Sequence, residues 1–534
     1  MTSPTATRLS KQPPDPDSRQ RTALRGHPWL TLFAVAIGVM MVALDGTIVA
    51  IANPAIQQDL GASLADVQWI TNAYLLALAV SLITAGKLGD RFGHRQTFLI
   101  GIVGFAASSG AIGLSGSVAA VIAFRVFQGL FGALLMPAAL GLLRASFPAE
   151  KLNAAIGIWG SVIGASTAAG PIVGGLLVEH VSWESVFFIN VPVGVLALAL
   201  GLFILKDHRA EHAPRSFDVL GIALLSGAMF SLVWALIKAP VWGWGDTKTL
   251  VFLGAAVLGF LLFVLWESKA REPLLPLSMF RSVPLSAGTV LMVLMAFGFM
   301  GGLFFVTFYL QNVHGMSPVD SGLHLLPLTG GMIVASPLAG AVITKTGPRV
   351  PLVVAMGLTA VAMFGMSTLD ADSGTAVTAL WFTLLGFGLA PVMVGATEVI
   401  VGNAPLEHAG VAGGLQQAAM QVGGSLGTAV LGAVMASRVG GTLPERWQEA
   451  GLQPLDAKSQ EALTSAAEVG LAPPPPKGTP AEVAQSMADV VHGAFISGMG
   501  LALTCAGVVA VFAAGVALFT KAGQGGDGTP SVHI

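Results

Sequence analysis

The amino-acid sequence predicts an all-α integral membrane protein of fourteen transmembrane helices, arranged as six, two and six, with both termini on the cytoplasmic side. Three observations predict it. Of 534 residues, 54% are hydrophobic and only 10% are charged, with a mean hydropathy of +0.77. A soluble chain carries about 25% charged residues, so this one lacks the polar surface to cover itself in water. The apolar stretches, such as Trp29 to Ile51 and Val251 to Leu265, run on without the alternation of a barrel strand, as expected of helices that need about 20 apolar residues to cross a bilayer. Third, a loop motif recurs 254 positions further along the chain, which divides it into two comparable halves.

Residues 1–28 form a polar, Pro-rich tail bearing Arg8, Lys11, Arg19, Arg21 and Arg25. The first apolar block is long enough to span and reads as a retained helix, since a secretory signal has a short apolar core and a small-residue cleavage site. The first half, 29–205, is expected to hold helices over 29–51, 67–86, 97–115, 118–143, 154–177 and 186–205. Two extra helices, 218–238 and 248–267, fall in the linker 206–283. The second half, 284–520, is expected to hold helices over 284–310, 320–343, 350–369, 375–401, 412–436 and 492–520, followed by a tail, 521–534. Its polar stretch 437–491 contains the run Pro473 to Pro476, which favours an extended polyproline conformation. Ser459 to Glu468 and Pro480 to Val490 read as short amphipathic helices. This stretch is either a solvated insertion or a lid over an outward opening.

Orientation follows from the excess of Lys and Arg in cytoplasmic loops. Nineteen of the 26 basic residues fall on the side of the N-terminus, six on the opposite side, and Arg125 lies inside a helix. Both termini are therefore expected in the cytoplasm.

The repeated loop reads Gly86-Lys87-Leu88-Gly89-Asp90-Arg91-Phe92-Gly93-His94-Arg95, and its counterpart runs from Gly340 to Arg349. Both glycines, the basic residue at Arg91 and Lys345, and the last arginine are kept, while Thr344 replaces the carboxylate. Gly86 and Gly93 allow tight turns and close helix approach. Asp90, Arg91 and Arg95 can bond helix ends or reach the neighbouring half, forming a latch that would be stronger in the first copy. The same offset relates Gly170 to Gly424. Parallel six-helix halves are a transporter plan, with the pathway between them near the midplane.

On these motifs the chain resembles the major facilitator superfamily, and within it the fourteen-helix drug:proton antiporter branch. Gly86 to Arg95 is similar to the superfamily's loop motif, and Ala123-Phe124-Arg125-Val126-Phe127-Gln128-Gly129 to its buried-arginine motif. Gly164 through Gly170-Pro171-Ile172-Val173-Gly174-Gly175 resembles the motif of exporters. Leu44-Asp45-Gly46-Thr47-Ile48-Val49 and Phe188-Ile189-Asn190-Val191-Pro192 resemble signatures of the branch. The chain departs from the branch at Ala50 and at Glu184-Ser185. The resemblance implies a major facilitator fold with pseudo-twofold halves. It also implies proton-coupled export of hydrophobic or amphiphilic antibiotics from the bacterial cytoplasmic membrane.

A charged side chain deep in a bilayer costs at least about 2.5 to 3.5 kcal/mol, so one that persists has a partner, a wet cavity or a task. Asp45, Arg125 and Glu398 stand out within helices. Burial raises a carboxylate's pKa and a nearby arginine lowers it, so Asp45 and Arg125 can be poised to exchange a proton; a structural arginine bonded to backbone carbonyls is the alternative. Glu398 is a second candidate for protonation or cation binding. Gly170-Pro171 removes a helical hydrogen bond and Gly174-Gly175 removes bulk, which bends the helix and permits close contact across the halves. Phe297, Phe299, Phe304, Phe305, Phe308 and Tyr309, with Met295 and Met300, offer an aromatic and polarizable wall for flat amphiphiles.

Other classes are disfavoured. A net charge of −2 gives no basic surface for nucleic acid. The lone Cys505 permits no intramolecular disulfide and no thiolate metal site, and reads as a small core residue. No Gly-x-x-x-x-Gly-Lys-Ser/Thr phosphate loop is present, and no cluster suits an enzyme or a cofactor. The expected partners are protons, a small amphiphilic substrate and lipid, with the protein as a monomer. An exporter dedicated to one endogenous metabolite or siderophore is the alternative within the transporter class, and a membrane sensor the alternative outside it.

Overall fold

The computed structural model describes residues 25–206, 218–270, 273–404, 409–475 and 479–522. The first half comprises α1 (Pro28–Leu60), α2 (Leu64–Phe92), α3 (His94–Gly113), α4 (Val118–Ser146), α5 (Ala149–His180) and α6 (Ser185–Ile204). A hairpin follows, α7 (Val219–Trp242) and α8 (Thr247–Glu267). The second half comprises α9 (Val283–Phe308, continued by a π turn over Tyr309–Val313), α10 (Pro318–Thr346, broken at Leu325), α11 (Arg349–Met366), α12 (Thr375–Gly402), α13 (Ala409–Glu449) and α14 (Ala481–Ala517). Among the described residues thirteen helices are long and apolar enough to cross a membrane. The fourteenth, α2, is 29 residues long and packs among them.

Local sequence sets the helix ends. Ser63 and Asp66 form a capping box at the start of α2, satisfying two backbone N–H groups that the first turn leaves unpaired. Ser282 and Ser317 cap α9 and α10 through their side-chain oxygens, which accept the Leu285 and Asp320 N–H groups, and each is followed by a proline in the first turn. Gly93 and Gly347, equivalent in the repeat, turn the chain from α2 to α3 and from α10 to α11 with φ of 101° and 77°, a region that side chains disfavour. Gly86 lies within α2 and faces Pro137 of α4.

Each half has its own core. Phe98 and Phe105 are fully buried in the first, and Phe305, Phe308 and Phe382 in the second. Helix α7 straddles the seam, with Met229 and Val233 against Trp69 and Leu76 of α2 and Ala429 of α13. Helix α8 packs on α7 and leaves Val257, Leu258, Leu261 and Leu265 exposed, as suits a lipid-facing helix whose apolar surface needs no protein cover.

The two ends of the bundle differ. Gly26 N–H bonds Ile204 O, and Asn403 Nδ2 bonds Lys521 O; the face on which the first described helix starts and the last one ends is called the terminal face. On the opposite face the halves are bonded to one another. Gln311 Nε2 donates to Ile51 O at 3.1 Å, Val319 N–H to Glu179 Oε2 at 3.0 Å, and Gln68 Nε2 to Thr428 O at 3.1 Å. Nearer the midplane, Asn72 Oδ1 accepts from both Ser425 Oγ and Thr428 Oγ1. Toward the terminal face Gln417 Nε2 approaches Met136 Sδ across the seam at 3.7 Å. The seam is closed on the opposite face.

The stretch 437–491 departs from the expected solvated insertion. Helix α13 runs on to Glu449 and α14 starts at Ala481, with a short helix, Ala457–Ala467, between them. Leu443, Trp447, Leu463, Ala467 and Val469 are buried in the core of the second half, Asn312 Nδ2 donates to Val469 O, and Trp447 Nε1 to Gln453 O. These apolar side chains, spaced among polar ones, carry the helices past the apolar span. The described contacts dock the stretch on its own half. Pro473 to Pro475 are non-helical, and Pro476 lies outside the described residues, as do most of the two tails. Cys505 is half-buried against the second core.

Candidate functional site

Asp45 and Arg125 meet in the interior of the first half. Arg125 Nη1 is 2.5 Å from Asp45 Oδ2, with the side chains 2% and 0% exposed. The spacing of three residues between Arg125 and Gln128 places both on one face of α4. Gln128 then bridges the pair: its Oε1 accepts from Arg125 Nη1 at 2.7 Å, and its Nε2 donates to Asp45 Oδ1 at 2.9 Å and to Ser109 Oγ at 2.6 Å. Asn190 Nδ2 donates to the same Ser109 Oγ at 3.0 Å. One network thus joins α1, α3, α4 and α6. Arg125 Nε also donates to Ile70 O at 3.1 Å, and its guanidinium lies 4.1 Å from the Tyr74 ring centroid. Gly129 permits this approach, since a Cβ there would lie 2.5 Å from Tyr74 O.

Each Asp45 oxygen accepts one bond, and the carboxylate faces a fixed cation. Removing one partner of such a buried pair costs about 3–5 kcal/mol, because the other charge is left uncompensated. Arg125 both bonds a backbone carbonyl and pairs with Asp45, so the two sequence-based readings of it coexist.

The network borders a cavity of about 30 Å³ between the halves, enough for a water molecule. Asn53, Thr71 and Arg125 line it from the first half, and Met300, Phe304 and Thr428 from the second. Asn53 Oδ1 and Thr71 Oγ1 are buried without a hydrogen bond from the described residues. Of the expected aromatic wall, Met300 and Phe304 reach the cavity; Met295, Phe299, Phe305, Phe308 and Tyr309 fill the core of the second half.

The exporter-motif helix packs on α1 and on α10. Pro171 lacks an N–H, which leaves Thr167 O without its helical partner; Thr47 Oγ1 of α1 donates to that carbonyl at 3.0 Å. Gly170 and Gly174 lie against Thr47 and Ile48, and Gly175 against Pro318 O of the second half. Gly322 in turn lies against Pro171 O. The Gly-Pro-x-x-Gly-Gly stretch is therefore one place where the two halves meet backbone to backbone at the closed end of the seam.

The other expected residues lie apart. Glu398 is exposed on α12 near the terminal face and does not join the network. Arg95 Nη2 donates to Leu202 O at the end of α6, and Arg91 lies over Phe92; these two contacts stay within the first half. The Asp90 side chain lies outside the described residues. Lys87 Nζ reaches Pro273 O, just before α9, at 2.7 Å. Sequence reasoning did not identify Ser109, Asn190 and Tyr74 as parts of the site, although a polar pair in otherwise apolar α3 and α6 was a usable signal.

Among comparisons with known proteins, the profile described as Major Facilitator Superfamily matches residues 35–428. The tetracenomycin C resistance and export protein of Streptomyces glaucescens is 71% identical over 510 residues, covering 95% of this chain and 94% of that protein. The multidrug efflux pump LfrA of Mycolicibacterium smegmatis is 32% identical over 506 residues, 93% and 97% of the two chains. The crystal structure of a bacterial homolog of the human lysosomal transporter Spinster, inward-facing and unoccupied, superposes with a TM-score of 0.60 at 16% identity over 92% of this chain and 98% of that one, which shows a shared fold.

Proposed function

We infer the function of this chain from one premise: it belongs to the Major Facilitator Superfamily, as a multi-pass protein of a bacterial plasma membrane. It exports a hydrophobic antibiotic, tetracenomycin C or a compound of similar chemistry, by alternating access coupled to proton entry. The observation that carries this reading is the Asp45–Arg125–Gln128 network beside a cavity whose other wall belongs to the second half.

The terminal face is the cytoplasmic one. With the opposite face bonded shut, the described arrangement is the one that takes substrate from inside. Asp45, ionised and paired with Arg125, has given up its proton to the cytoplasm. When the halves rock open outward, the cavity wall of Met300 and Phe304 withdraws and water reaches Asp45. Protonation there breaks the ion pair and favours release of substrate. The loop motif would hold the cytoplasmic ends of the helices in register, and the Gly170–Gly175 stretch would set how tightly the outer end closes.

Everted membrane vesicles containing the protein test this reading. Energised vesicles should accumulate tetracenomycin C, and a protonophore should abolish the uptake. Accumulation that persists without a proton gradient refutes the coupling. The 71% identity to a resistance and export protein named for one compound favours a narrow exporter as a second reading; a panel of unrelated drugs, expelled or not, separates it from a multidrug pump.

A further inference from the structure

The hairpin of α7 and α8 carries a buried carboxyl pair that the transport reading does not use. Asp218 caps α7 and Glu267 ends α8, and they are 8% and 3% exposed. Asp218 Oδ1 accepts the Gly221 N–H at 2.8 Å and the Trp266 indole N–H at 2.6 Å. Glu267 accepts the Leu274 N–H on Oε1 at 3.3 Å and the Leu275 N–H on Oε2 at 3.1 Å. Asp218 Oδ2 is buried and receives no N–H from the described protein, and it and Glu267 Oε1 lie against the same side of Gly221. Both carboxyls press on Gly221, where a Cβ would strike each of them. Ile222, Phe263 and Leu274 surround them with apolar surface.

Two carboxylates in contact in an apolar setting do not both ionise. A protonated Glu267 carboxyl would supply the hydrogen bond that Asp218 Oδ2 lacks among the described residues. Burial pushes the Asp218 carboxyl up, but the bonds from the Gly221 N–H and the Trp266 indole outweigh it and hold Asp218 below the usual carboxylate range. Asp218 Oδ1 accepts two short bonds while those to Glu267 are longer, which places the shared proton on Glu267. Among the described residues, the charge that acts on each member of the pair is the other member. Where α7 packs on α2 and α13 it meets Trp69, Leu76 and Ala429, which are uncharged. From α2, Lys87 reaches the neighbouring Pro273 carbonyl.

We propose that Asp218 and Glu267 form a proton-binding site, separate from the Asp45 network, in which one proton bridges Glu267 and Asp218 Oδ2 and fastens the 273–275 segment to the hairpin. That segment leads into α9 and is the one Lys87 of the loop motif holds. Loss of the proton sets two negative charges against each other and loosens the connection between the hairpin, the loop motif and the second half.

The full-length protein in lipid vesicles tests this without substrate. Infrared difference spectra across an alkaline pH step should show loss of a protonated carboxyl, and that signal should vanish in both Glu267→Gln and Asp218→Asn. Tryptic cleavage after Lys269, normalised to a free peptide, should rise several-fold on alkalinisation. Glu267→Gln keeps a donor to Asp218 and should stay protected at every pH, whereas Glu267→Ala should be cut at every pH. A carboxyl signal that survives both variants, or cleavage of Glu267→Gln that follows wild type, overturns the proposal.

Discussion

Replacing Asp45 by asparagine removes one charge from a pair that is buried on all sides, and its cost can be worked from the contacts. Arg125 loses its counter-ion at 2.5 Å but keeps Ile70 O and Gln128 Oε1. The penalty should therefore fall at the lower end of the range for breaking a buried pair, about 3 kcal/mol. Arg125→Gln should cost more, because Asp45 keeps only the Gln128 amide. With both charges removed the penalty should shrink, since a buried pair replaced by neutral groups is often nearly neutral in stability. The assay is a double-mutant cycle read twice on the same membranes, as melting temperature in detergent and as proton-driven export in everted vesicles. Each single variant should melt lower, the double variant should recover most of the loss, and none of the three should export. A structural ion pair predicts that export returns with stability. Full export by Asp45→Asn, or by the double variant, refutes the assignment of coupling to this site.

Three further outcomes follow from the same contacts. Glu468, outside the spanning helices, is pushed up to about 7 by burial, so its ionised form is penalised in the folded protein. The stability it contributes is present below the ordinary carboxylate range and lost as pH rises through about 7. Glu468→Gln should then raise stability above that pH by up to about 3 kcal/mol and change nothing in acid, read as melting temperature against pH. Gly175→Val would drive a side chain into Pro318 O and should open the outer seam; in a Cys505→Ala background, Asn53→Cys should label with an external impermeant thiol reagent several-fold faster. Thr47→Val leaves Thr167 O without a donor and should cost about 1–3 kcal/mol, whereas Thr47→Ser should melt like wild type.

The sequence is read most easily where physics allows few solutions. An ionised group in a bilayer is so costly that Asp45 and Arg125 could be paired by scarcity alone, and Pro171 announced a carbonyl in need of a donor. Gln128, Ser109 and Asn190 were harder, because a neutral polar residue in a membrane helix is common and its partner is fixed only by how helices rotate against one another. The same holds for Asn72 with Ser425 and Thr428, more than 350 positions apart. Glu398 shows the limit of the scarcity argument: near a helix end the cost of charge falls away, and the side chain is simply exposed. In the 437–491 stretch the expected helices are present, over Ala457–Ala467 and at the start of α14, but their docking was not legible, for the opposite reason. Its low hydropathy describes a surface wetted on one side, but Trp447, Leu463 and Val469 are enough to dock it. Asp218 and Glu267 stand at the first and last positions of the expected helices 218–238 and 248–267, where a charge does not stand out. Together they are buried at the base of the hairpin, so the inventory of charges inside this protein is larger than span boundaries alone suggest, and proton-linked behaviour need not be confined to the central pathway.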